Sequence, residues 1–182
     1  MKVVEPIRDK EVVRDVAEFL AKKNARDHLL FVMGVYTGLR ISDLLNIRIR
    51  DVRNQNHLIV IESKTQKSKT VKLSSVVQQS INEFIEDREP YEYLFKSRVG
   101  KNRAISRERA YGILREVADH LGLQNIGCHS MRKTFGYHVY QNTKDVALLQ
   151  DIFNHSSPDI TLRYIGVNQD TKDKAVDSLD FF

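Results

Sequence analysis

The sequence predicts an α+β domain, mainly helical, with a small three-stranded antiparallel sheet. Three observations carry this. Apolar residues recur at helical spacing near both ends of the chain, β-branched and aliphatic runs are confined to one short stretch after residue 56, and 182 residues that are 41% apolar suffice to close one sizeable core. No repeat, low-complexity run or linker interrupts the chain, so a single domain over residues 1–182 is expected.

Asp9 is placed to cap a first helix carrying Val12, Val13, Val16, Phe19 and Leu20, which stops near Asn24. The next helix, with Leu29, Leu30, Val32, Met33 and Val35, is apolar nearly all round. It is therefore expected in the middle of the domain, ending at Gly38 and delivering Arg40 from a buried end. Ser42 is read as the N-cap of a short helix through Leu45 and Asn46, followed by a turn at Asn54-Gln55-Asn56. His57 to Ile61 and Thr70 to Leu73 read as strands joined by the polar hairpin Ser63 to Lys69, with a short third strand at Tyr93 to Phe95. Between them, Ser74 or Ser75 opens a helix with Val76, Val77, Ile81, Phe84 and Ile85 on one face, terminated by Pro90. After a loop from Ser97 to Arg103, Ser106 caps a helix holding Ala110, Ile113, Leu114, Val117 and Leu121, and the remainder reads as helical to Leu179.

Lysine and arginine total 29 against 24 acidic residues, a net charge of +5 that favours a polyanionic partner without requiring one. The longest stretch without charged side chains, His28 to Leu39, is shorter than the roughly 20 apolar residues of a spanning helix. Met1 to Lys10 lacks the apolar segment of a secretory signal, so a cytoplasmic protein without membrane contact is expected. Cys128 is the only cysteine, which excludes an intramolecular disulfide and a cysteine-rich zinc site. Its neighbour His129 points elsewhere on any regular element, so Cys128 is given no chemistry.

Four segments concentrate the chemistry: Thr37 to Leu45 around Arg40, Ser63-Lys64-Thr65, His129-Ser130-Met131-Arg132, and Asn154-His155-Ser156-Ser157 followed by Leu162-Arg163-Tyr164. Taken together and in this order they resemble the tyrosine recombinase, or phage integrase, family, whose members cut and rejoin DNA. The resemblance implies the recombinase catalytic fold, double-stranded DNA as partner, a DNA-dependent homo-oligomer in a synaptic complex, and no metal or other cofactor.

By that resemblance Arg40 and Arg132 clamp the scissile phosphate, and paired guanidinium donors suit the charge of a pentacoordinate transition state. His129, three residues before Arg132 and on the same helical face, would bind the phosphate and assist proton transfer. Lys64 matches the hairpin lysine that protonates the departing 5′ oxygen. Lys67 and Lys69 are rivals for that role, and all three are equally readable as contacts to backbone phosphates, as is Lys133. His155 would hydrogen-bond the phosphate, and Asp43 is expected to brace the arginine or histidine groups rather than perform acid–base work. Tyr164 is the implied nucleophile, with neighbouring arginines favouring its phenolate. Tyr137 and Tyr140 are competitors, while Tyr36 and Tyr93 are assigned to packing. A continuous helix would put His155 and Tyr164 on opposite faces, so a break at Ser156-Ser157-Pro158 is expected.

Two positions depart from the family pattern. Lys133 stands where histidine is frequent, and Asn154 where glycine is usual. Only 39 residues precede Arg40, so no separate N-terminal DNA-clamping domain is expected. Two other functions are kept open: a metal-dependent nuclease gathering Asp51 and Glu62 around magnesium, and an accessory DNA-binding protein of the same fold with little turnover. The tail Asp177 to Phe182 offers its last two phenylalanines either to a neighbouring subunit or to its own.

Overall fold

The computed structural model describes residues 4–63 and 66–179, with the side chains of residues 168–170, 172 and 175 outside that description. Lys64, named above as the hairpin acid, and the terminal Phe181 and Phe182 therefore lie outside the described residues.

Among the described residues, ten helices and one hairpin follow in the order α1 (Lys10–Lys23), α2 (Ala25–Thr37), α3 (Ile41–Leu45), α4 (Ile49–Val52), β1 (His57–Ile61), β2 (Ser68–Lys72), α5 (Ser75–Ile85), α6 (Arg107–His120), α7 (Cys128–Thr143), α8 (Val146–Phe153), α9 (Pro158–Ile165) and α10 (Val167–Asp177). None of the described helices is long and apolar enough to cross a membrane.

Local chemistry sets most of these boundaries. Asp9, Ser74, Ser106, Asp145 and Ser157 each accept a backbone N–H from the first turn of the helix that follows. Asn24 closes α1 through its own N–H and caps α2 through its side chain. Ser42, read as a cap, instead lies inside α3, whose N-cap is Arg40 in an extended conformation without a side-chain bond. The helix after Ser74 ends at Ile85, before Pro90 is reached.

The sheet among the described residues has two strands, antiparallel, with Leu58 opposite Val71 and Val60 opposite Lys69. The third strand expected at Tyr93 to Phe95 does not form. Tyr93 makes one isolated bridge to Arg48, and Leu94 and Phe95 are fully buried, joining loops through Leu94 N–H to Ile47 O and Ile105 N–H to Phe95 O. A buried leucine and a buried phenylalanine thus imitate a strand's sequence without a strand neighbour to pair with.

As its composition demands, α2 runs through the centre, with Leu29, Leu30, Phe31 and Met33 buried in the main core. A second apolar cluster of Leu149, Phe153, Ile165 and Val167 joins α8 and α9 to one side of α7, against Phe135 and Tyr164. Between these two clusters α7 acts as the shared wall, and the predicted site residues gather along it.

Candidate active site

Gly38 has φ +62 and ends α2 in the left-handed conformation, after which Leu39 is buried and Arg40 turns out extended. The same turn exposes the Gly38 carbonyl to Arg132, whose Nη1 donates to it at 2.5 Å. Arg40 Nη1 meets Glu62 Oε1 at 2.6 Å, and the Glu62 carboxylate is only 3% exposed. Glu62 was a site residue only in the nuclease reading, yet it is the partner of the first arginine.

Arg132 lies one turn into α7 and is buried. Besides Gly38 it donates from Nη2 to Phe153 O at 3.2 Å, and its guanidinium carbon sits 4.2 Å from the centre of the Phe153 ring. Burial draws it below its usual value, Tyr164 acts against that, and Arg40 adds to it. Arginine remains a cation across any working pH, so the site carries two fixed positive charges. His129, three residues earlier on the same helix, is solvent-accessible, and its imidazole is held below the usual histidine value by desolvation, then by Arg132, Lys133 and Arg40. It is therefore neutral at neutral pH.

The break expected between His155 and Tyr164 is present. Asn154 takes a left-handed conformation with φ 56, the His155 N–H returns to Gln150 O, Ser157 caps α9 and Pro158 opens it. This turn brings the His155 and Tyr164 rings to 5.2 Å between centres, nearly edge to face. His155 Nδ1 lies 3.0 Å from Thr161 Oγ1, whose own hydroxyl is placed to donate to Ser157 O. A hydroxyl has one proton to give, so His155 Nδ1 is the donor here and Nε2 is the ring's other face to the site.

Phe153 stands at the centre of the constellation, with ring centres of His155 and Tyr164 at 5.3 and 5.5 Å and Arg132 over its face. The sequence reading gave it no role. The signal available was an apolar residue at the end of a helix two positions before the histidine. Tyr164 has burial as the largest influence on its phenol, pushing the pKa up, with Arg132 and Arg40 pulling it down. The arginines favour the phenolate as expected, but burial outweighs them. Tyr164 is protonated at rest. The rival tyrosines have other company: Tyr137 lies under Arg8 and meets His138 edge to face, and Tyr140 lies beside Lys144. Tyr36, assigned to packing, is exposed instead.

The hairpin lysines divide. Lys67 is exposed on the turn, and Lys69 is partly buried with Nζ donating to Ile152 O at 2.6 Å. Lys133 is buried and places its ammonium 5.3 Å from the Tyr164 ring centre, facing the tyrosine rather than open solvent. Asp43 is also buried, and its Oδ1 accepts from Ser63 N–H at 2.9 Å and Ser63 Oγ at 2.7 Å. It was expected to brace the arginines or histidines; its hydrogen bonds go to the root of the hairpin, while its charge acts on Arg132. The two carboxylates of the nuclease reading are committed elsewhere, Glu62 to Arg40 and Asp51 Oδ2 to the Arg48 N–H at the start of α4.

In chemical terms the site offers two guanidinium groups, two imidazoles, a buried ammonium and a phenol around one wall of α7. Such a set suits an oxyanion under nucleophilic attack.

Comparison with known proteins gives concordant results. The model of the phage integrase family matches residues 7–171. Probable integrase/recombinase YoeC of Bacillus subtilis is 50% identical over 171 residues, 94% of both chains. A probable integrase/recombinase of Acholeplasma phage L2 is 34% identical over 134 residues, 73% of this chain and 46% of that one. Among solved structures, a XerA recombinase superposes over 100% of this chain and 68% of its own with TM-score 0.77 at 20% identity. XerH bound to its palindromic difH substrate after cleavage gives TM-score 0.73 at 22% identity, over 97% of this chain and 54% of its own. The chain thus spans nearly all of one relative and about half of several others.

Proposed function

Because the chain belongs to the phage integrase family, we propose that it is a site-specific DNA recombinase that cleaves and rejoins strands through a 3′-phosphotyrosyl bond to Tyr164. The observation that carries this reading is the convergence of Arg40, Arg132, His155 and Tyr164, drawn from four elements, around Phe153 and the end of α7.

Arg40 and Arg132 hold the non-bridging oxygens of the scissile phosphate, with Arg40 exchanging Glu62 for the substrate. The Tyr164 oxygen attacks phosphorus, the bond from phosphorus to the 5′ oxygen breaks, and its electron pair leaves with that oxygen. The phenolic proton passes to a neutral acceptor, for which His129 is suited by its lowered pKa. Lys64 protonates the leaving 5′ oxygen. His155, oriented by Thr161, turns Nε2 to the phosphate. Asp43 holds Ser63 at the root of the hairpin. The ester retains the energy of the original bond, so rejoining to a new 5′-hydroxyl requires no nucleotide.

Residues 1–182 act as one catalytic domain on double-stranded DNA in the cytoplasm, assembling as a homo-oligomer when DNA is bound. Lys67, on the exposed hairpin turn, contacts the DNA backbone. Supercoiled plasmid incubated in excess EDTA at low salt, quenched with detergent, tests the reading. Relaxation with protein-linked DNA, both lost in Tyr164→Phe, is the expected result. A folded protein that binds plasmid and yields no adduct overturns it in favour of an accessory role, and activity only with magnesium overturns it in favour of a nuclease.

A further inference from the structure

Strand β2 places Ser68, Thr70 and Lys72 toward solvent and Val71 in the core, so Lys69 sits on the inward-facing side where an apolar residue is the usual choice. An inward lysine needs a reason, because removing an ammonium from water is costly unless a partner replaces the hydration. The partner is a carbonyl at the C-terminal end of α8: Lys69 Nζ donates to Ile152 O at 2.6 Å, across 83 residues of sequence. The adjacent carbonyl, Phe153 O, receives Arg132. Two successive carbonyls at one helix end are thus held by cations from the hairpin and from α7, which also matches the negative end of the helix dipole.

Directly after those carbonyls come the Asn154 turn, His155 and α9 with Tyr164. Resting on the phosphotyrosyl reading above, we propose that Lys69 is a positioning residue: it fastens the hairpin to the end of α8 and so sets His155 and Tyr164 against the arginine pair. The hairpin's other root is fixed by Asp43 to Ser63 and by Glu62 to Arg40. The bond from Lys69 joins the hairpin directly to the last turn of α8, just before the tyrosine segment.

The charges facing Lys69 are Arg132 on α7, Glu62 at the end of β1, Arg40 before α3 and Asp151 on α8. Burial is the largest influence and, with the two arginines, brings its pKa down to about 8 against the opposing carboxylates. Above that pH the ammonium becomes a neutral amine, whose bond to Ile152 O is weaker although its burial costs less, while an arginine in its place would keep its charge.

The test compares the full-length wild type with Lys69→Met and Lys69→Arg. Two readouts are taken: the rate of protein–plasmid adduct formation, and hydrogen exchange at the Asn154 and His155 amides, which bond to Asp151 O and Gln150 O. Lys69→Met is expected to slow adduct formation by about tenfold to a hundredfold, the scale of a misplaced nucleophile, and to speed exchange at the two amides. Lys69→Arg is expected to restore both, and at pH 9 to outperform wild type relative to pH 7. Guanidinium gives up no proton near neutrality, so a Lys69→Arg protein with slow exchange and no cleavage would overturn positioning in favour of proton donation. Wild-type exchange and adduct rates in Lys69→Met would also overturn it. If the wild type forms no adduct at all, the phosphotyrosyl reading fails, while the exchange measurement still decides whether the clamp exists.

Discussion

Arg132 commits two donors to backbone carbonyls, Gly38 O and Phe153 O, and stacks on Phe153, so its remaining donors are aimed without rotamer freedom. A lysine at this position has one ammonium and cannot reach two carbonyls and a phosphate together. Arg132→Lys is expected to lower the single-turnover adduct rate by about 10²- to 10³-fold, typical of a lost transition-state donor, and to lower the melting temperature as well. An unchanged adduct rate would remove Arg132 from the clamp. Lys69 supplies a pH test at the same scale. Its folded-state pKa of about 8 lies below the 10.5 of an unfolded chain, so between those values the unfolded state binds more protons. Stability should therefore rise with pH through that window and fall as pH drops toward 8. Denaturation of wild type against Lys69→Met from pH 7.5 to 10.5 should show the wild type gaining relative to the variant, and equal slopes would contradict the buried ammonium.

At the level of elements, the site depends on a short turn and a hairpin. Asn154 ends α8 at φ 56 and ψ 46, a conformation that costs a residue with a Cβ roughly 1–2 kcal/mol, less for asparagine and least for glycine. Asn154→Ala should lower stability by about 1 kcal/mol and Asn154→Gly should leave it equal or higher, read from denaturant midpoints. The reverse order would mean that the asparagine side chain itself holds the turn. This break was legible beforehand because the proline after two serines restricts the backbone locally, and nothing distant is needed to make a turn there. The caps at Asp9 and Ser106 were legible for the same reason. What the sequence hid depends on partners remote in the chain. Tyr93 to Phe95 has the composition of a strand but meets only a single bridge, at Tyr93, and Lys69 reads as one of several hairpin cations until Ile152 is packed beside it. Glu62 and Phe153 were missed likewise, since a carboxylate beside a future arginine and an aromatic under it look like ordinary surface and core residues until the fold joins them.

For the molecule as a whole, catalytic geometry rests on how closely α7 is approached from both sides. A Cβ on Gly34 of α2 would lie 2.5 Å from the Met131 sulfur, one on Gly38 2.4 Å from the Phe135 ring, and one on Gly136 of α7 2.7 Å from both Ile165 and Phe153. The first two contacts set α2, and hence Arg40, against α7. The third sets α8 and α9, and hence Tyr164, on its other face. Gly112 in α6 is the contrasting case, a helical glycine whose added Cβ would meet nothing within 4 Å. Alanine there removes backbone entropy from the unfolded chain without a clash, so Gly112→Ala should stabilise by about 0.5–1 kcal/mol. Gly136→Ala makes the same chemical change with the opposite sign. Neither the Phe153 ring nor the branched Ile165 side chain can yield without moving its helix, and overpacking of this kind costs about 1–3 kcal/mol, or roughly 2–4 °C per kcal/mol in a chain of this size. Because the helices that must move flank His155 and carry Tyr164, the adduct rate should fall further than stability alone explains, with plasmid binding retained. Melting curves, plasmid retention and detergent-quenched adduct assays on the two variants together check this. A Gly136→Ala protein that melts and cleaves like wild type would show that α9 has room to shift, and that the tyrosine's place is not fixed by the packing of α7.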